Sequence, residues 1–200
     1  MKKTKSQKNI MTSKNALSFW IPSRAEEKAL NRRSHLEEIT QVDQIWERLK
    51  VQLGDVLAVD SPHAFHPESF TYKELAENIS KAADSFSQIG VEPGDVVALF
   101  AENSPRWLIA DQGLMRLGAS DSVRGANAPA IELQYILEDS NAVGLIVQNS
   151  DVWERLSLDD EQIKSLKFVI QLEGKASEGV LEWDSFLKKG LNTVNVTKQE

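Results

Sequence analysis

Two wholly apolar runs, one sharply marked helix start and a regular alternation of element types predict an α/β protein. Residues 96–101 and 143–147 contain no polar side chain, as strands covered on both faces do. Thr71-Tyr72-Lys73-Glu74 fits a capping box, in which Thr71 and Glu74 each satisfy a free backbone N–H of the other. Strand-like and helix-like segments alternate from residue 56 to about 190. That order predicts an open, mostly parallel sheet with flanking helices.

Taken in order, Ile39, Val42, Trp46, Leu49 and Leu53 share one helical face, and Gly54 stops that helix. Residues 56–59 read as a short strand. Residues 60–70, with two prolines and two histidines, read as loop. Leu75, Ile79, Ala82, Phe86 and Ile89 form the buried stripe of the helix that Thr71 caps, and Gly90 ends it. Pro93-Gly94 suits a type II turn over residues 92–95, because glycine accepts the positive φ required there. Ser104 caps the next helix, with Pro105 in its first turn, where a missing N–H costs nothing. That helix reaches Gly118, and residues 119–123 form a strand. Pro129 opens a helix with Ile131, Tyr135 and Ile136 as expected core contacts. A short helix near Trp153, strands at 168–172 and near Leu181, and a last helical turn at 184–189 complete the series.

Composition narrows the class. Across 200 residues, 41% are hydrophobic and 26% charged, which describes a globular chain with a core. The six-residue run at 96–101 is far short of the ~20 needed to cross a bilayer. No cysteine is present, which excludes a disulfide scaffold, a Cys-bound metal and a thiol nucleophile, and suits the cytoplasm. The net charge of −7 argues against a nucleic-acid partner. Its distribution is uneven. The first 24 residues carry five lysines and Arg24 with no acid. Residues 1–38 are therefore expected to be a basic, disordered tail with a lead-in helix, and peripheral contact with anionic lipid is the functional alternative. Residues 39–200 are expected to form the α/β domain.

The familiar catalytic signatures are missing. No G-x-G-x-x-G occurs, and Gly174 and Gly179 have Walker spacing but are followed by Val180 and Leu181, so neither phosphate nor magnesium is gripped there. His63 and His66 have only Glu68 as a near carboxylate, so a solvated loop outweighs a metal site. The adjacent acids Glu26-Glu27, Glu37-Glu38 and Asp159-Asp160 point apart on a helix and read as solvated faces. No serine lies in G-x-S-x-G.

Four stretches in order carry a resemblance: Phe70-Thr71-Tyr72-Lys73-Glu74-Leu75; Ile89-Gly90-Val91-Glu92-Pro93-Gly94-Asp95-Val96-Val97-Ala98-Leu99; Asn103-Ser104-Pro105-Arg106-Trp107; and Glu132-Leu133-Gln134-Tyr135-Ile136-Leu137-Glu138-Asp139-Ser140. Together they resemble the opening of acyl-adenylate-forming (AMP-binding) synthetases, over roughly residues 40–150. Ala119-Ser120-Asp121-Ser122-Val123-Arg124-Gly125 departs from the apolar strand and proline turn of most members. In this it is similar to the long-chain acyl-acyl carrier protein synthetases of cyanobacteria and plastids.

The resemblance implies the N-terminal subdomain of the adenylate-forming fold and a two-step ligase. A fatty acid would react with ATP and Mg²⁺ to give acyl-AMP, and a phosphopantetheine thiol on acyl carrier protein or CoA would take the acyl group. The family's phosphate loop and catalytic lysine have no counterpart in the 200 residues. The chain is therefore expected to be an inactive N-terminal portion needing no cofactor itself; a stand-alone acyl- or partner-binding module is the alternative. No family catalytic or metal-binding residue maps onto it. Asp121 and Arg124 remain as candidates for the substrate pocket. The other reading is a clamp, with Asp121 in a covered strand paired to Arg124 or to a backbone donor.

Overall fold

Local signals set the helix boundaries. Helix α1 (Gln44–Leu53) begins after Val42, which is exposed, and buries Leu53. Helix α2 (Tyr72–Gln88) starts at the expected capping box: Thr71 Oγ1 accepts from Glu74 N, and Glu74 returns a carboxylate oxygen to Thr71 N at 2.9 Å. That backbone hydrogen bond, with the one from the Thr71 hydroxyl, lowers the Glu74 pKa. Gly94 takes φ +91° in the turn closed by Asp95 N donating to Glu92 O. Helix α3 (Pro105–Leu117) carries Ser104 as its cap and Pro105 in its first turn. The computed structural model describes residues 23–24, 39–42, 44–63, 65 and 67–190. The expectations for the basic tail, apart from Ser23 and Arg24, and that for His66 lie outside these residues.

Five parallel strands form the main sheet in the order β4-β3-β5-β6-β7: β3 (Val96–Phe100), β4 (Ser120–Arg124), β5 (Gly144–Val147), β6 (Phe168–Gln171) and β7 (Leu181–Glu182). Alternation along the strands builds a core on each face. Val97, Leu99, Ile146 and Ile170 meet α2, α3 and α7 (Trp183–Gly190). Ala98, Phe100, Leu145 and Val147 meet α4 (Ala130–Asp139) and α5 (Ser150–Leu156). A Cβ on Gly144 would lie 2.3 Å from the Phe168 ring in the next strand, so only glycine leaves that aromatic its place. Phe168 in turn meets Phe86, whose ring centroid lies 4.7 Å from that of Phe186 of α7 in a tilted contact. The fold class is the expected one.

Three expectations need correction. Residues 60–70 are not wholly loop: β1 (Leu57–Ser61) and β2 (Glu68–Thr71) pair antiparallel in a separate two-stranded sheet. Both strands are short, β2 is mostly polar, and their pairing includes cross-strand contacts such as Ser69 Oγ donating to Asp60 Oδ1 at 2.7 Å. On α4, Leu133 and Leu137 are buried, whereas Ile131 and Tyr135 are 76% and 64% exposed. Residues two apart lie about 200° around a helix axis, so both sets cannot face the sheet. Asp159 is exposed, as expected of a solvated face, and has a further role. It caps helix α6 (Asp160–Ser165) in a second capping box, with Gln162. Finally, Asp121 belongs to β4, which is the edge of the sheet and not a strand flanked on both sides.

Arg106 fastens the hairpin to the sheet. Only 8% exposed, its guanidinium donates from Nε to Glu68 Oε1 on β2 at 2.9 Å and from Nη1 to Leu172 O beyond β6 at 2.7 Å. Asp184 on α7 lies 3.4 Å from Nη2. Removing one member of a buried pair strands the other charge, which costs about 3 kcal/mol or more. Arg106→Met is therefore expected to lower unfolding free energy by about that amount in a denaturant titration. A loss below about 1 kcal/mol would place this pair with weak surface bridges.

Candidate functional site

The sheet has one topological switch point. The chain leaves β3 into α3 on one face and leaves the adjacent β5 into α5 on the other. In open α/β sheets the crevice beyond the strand ends at such a point is where ligands bind. Here it is a groove of about 520 Å³, with Glu102 and Ser104 after β3, Gln148 after β5, Glu173 after β6, and Ser61 and His63 from the hairpin. The Gln148 amide ties its floor together: Oε1 accepts from Glu102 N at 3.1 Å, and Nε2 donates to Glu173 Oε2 at 3.4 Å. Glu102 Oε1 also accepts from Asn127 Nδ2 at 3.2 Å.

Chemically the groove is an acceptor-rich surface. Ser104 and Asn149 spend their side-chain oxygens capping α3 and α5 through Trp107 N and Val152 N. Two carboxylates remain, and no lysine or arginine lines the groove among the described residues. Polyphosphate needs charge-assisted donors, so these residues do not fit the phosphates of ATP. Among the described residues no group of three or more His, Asp or Glu is placed to hold a metal ion.

The structure separates the two candidates read from the sequence. Asp121 and Arg124 are three residues apart on a strand, so their side chains leave opposite faces of the sheet. Arg124 Nε donates to Glu132 Oε1 on α4 at 2.6 Å, with both side chains roughly half exposed. Hydrogen bonding to Glu132, then its charge, raises the Arg124 pKa. Asp121 is influenced by Asp111 of α3 instead, and its Oδ2 is sealed from solvent with no hydrogen-bond partner among the described residues. Burial, followed by the Asp111 charge and a hydrogen bond to Asp111, pushes the Asp121 carboxyl up to about 7. The clamp between Asp121 and Arg124 does not form.

Sequence reasoning missed the groove and the acid pair. The signal for the groove was the strand ends themselves, where Glu102-Asn103-Ser104 and Gln148-Asn149 follow apolar runs with polar residues. Nothing local marks Asp111 as the neighbour of Asp121.

Two substitutions separate the groove's floor from the exposed brace. Gln148→Leu removes the acceptor of Glu102 N and is expected to cost about 1 kcal/mol of unfolding free energy. Arg124→Ala breaks only a solvated pair, so its denaturant midpoint is expected to match that of the unchanged chain. A large loss from Arg124→Ala would mean that the β4–α4 contact depends on this bridge.

Among the described residues no helix is long and apolar enough to cross a membrane. Comparison with solved structures finds the anthranilate CoA ligase AuaEII in complex with anthranoyl-AMP, with a TM-score of 0.67 at 20% identity, over 74% of this chain and 28% of that one. A Mycobacterium tuberculosis fatty acyl CoA synthetase gives 0.62 at 18% identity, over 76% and 28%. These show a shared fold. In sequence, the probable acyl-activating enzyme 16, chloroplastic, of Arabidopsis thaliana is 34% identical over 180 residues, 83% of this chain. The chloroplastic long-chain-fatty-acid–[acyl-carrier-protein] ligase of the same plant is 36% identical over 141 residues, 70% of this chain. The chain spans 25% and 19% of the length of these two relatives. Residues 46–198 match the family of AMP-binding enzymes, and the chain belongs to that family.

Proposed function

We propose that this chain is part of a ligase that activates a long-chain fatty acid with ATP to acyl-AMP and passes the acyl group to a phosphopantetheine thiol, on acyl carrier protein or CoA. The observation that carries this reading is the 36% identity to a protein named as a long-chain-fatty-acid–[acyl-carrier-protein] ligase. The matched family reaches through both faces of the sheet, from Trp46 in α1 to beyond α7. ATP and Mg²⁺ are the cofactors this reading implies. The cysteine-free composition supports a reducing compartment such as the cytoplasm.

Within that reaction these residues supply scaffold. The switch-point groove presents carboxylates and amides, and transition-state charge on a transferring phosphoryl group calls for cationic donors. We expect the 200 residues by themselves to give no palmitate-dependent ATP–pyrophosphate exchange above a protein-free blank. A chimaera in which they replace the matching segment of the Arabidopsis ligase is expected to restore exchange and acyl transfer to holo-acyl carrier protein. A folded chimaera with no exchange would overturn the proposal. Saturable binding of palmitate by the 200 residues, with a dead chimaera, would favour a stand-alone acyl-binding module.

A further inference from the structure

We draw no further inference here: the strongest candidate, the open edge of the main sheet at β4 with the exposed Val123 on that strand and Ile131 and Tyr135 on α4, is an unpartnered apolar face, and nothing in the structure shows what covers it.

Discussion

The buried Arg106 guanidinium is the contact on which the arrangement around the groove depends. It lies in the first turn of α3, where the helix dipole already presents positive charge and a cation is unfavourable. Burial adds a desolvation cost. The position is tenable only because Glu68 from β2, Asp184 from α7 and the Leu172 carbonyl converge on it. Four elements that share no local sequence are thereby fixed at the carboxyl end of the sheet. The hairpin wall of the groove, with Ser61 and His63, follows from that docking.

Carboxylates are the recurring electrostatic problem of this acidic chain, and the fold answers it in three ways. Glu68 is matched with a buried cation. Glu102 and Glu173 are left at the groove and tempered by neutral amides from Asn127 and Gln148. Asp121 has neither remedy at Oδ2, and burial together with the Asp111 charge holds its carboxyl well above the usual range. The first answer rigidifies, the second leaves spare acceptors at the strand ends, and the third leaves a carboxyl of raised pKa at one edge of the sheet. Glu74 and Asp95 show the ordinary case, with carboxyls held below their usual range by backbone donors at Thr71 and Glu92.

What was legible in the sequence was what neighbours in the chain decide. Thr71 with Glu74, Ser104 with Pro105, and Gly94 in its turn act over four residues or fewer, and each marks the element it was expected to mark. The two apolar strands were legible because burial on both faces leaves no alternative composition. The hairpin strand β2 was not, since Glu68-Ser69-Phe70-Thr71 has no pattern until β1 pairs with it. On α4, Ile136 packs against the core as expected, but Ile131 and Tyr135 were misjudged because several of its residues are large and apolar, and only the sheet decides that Leu133 and Leu137 point inward. The groove and its clamp depend on contacts between residues tens of positions apart, such as Glu102 with Gln148 and Arg106 with Leu172.

The stretch 119–125, which set this chain apart from most relatives in the reading of its sequence, has a physical account that the pairing of Asp121 with Arg124 could not provide. A strand's period of two sends the acid and the base to different helices. Each then meets the charge its own face offers: Glu132 for Arg124, Asp111 for Asp121. The edge position is what makes such a polar strand possible. A strand flanked on both sides, like β3 or β5, has no solvent-facing side on which to place Arg124 or the half-exposed Val123. The departure from an apolar strand is therefore consistent with the topology, because β4 alone among the four longer strands of the main sheet carries charge on both faces.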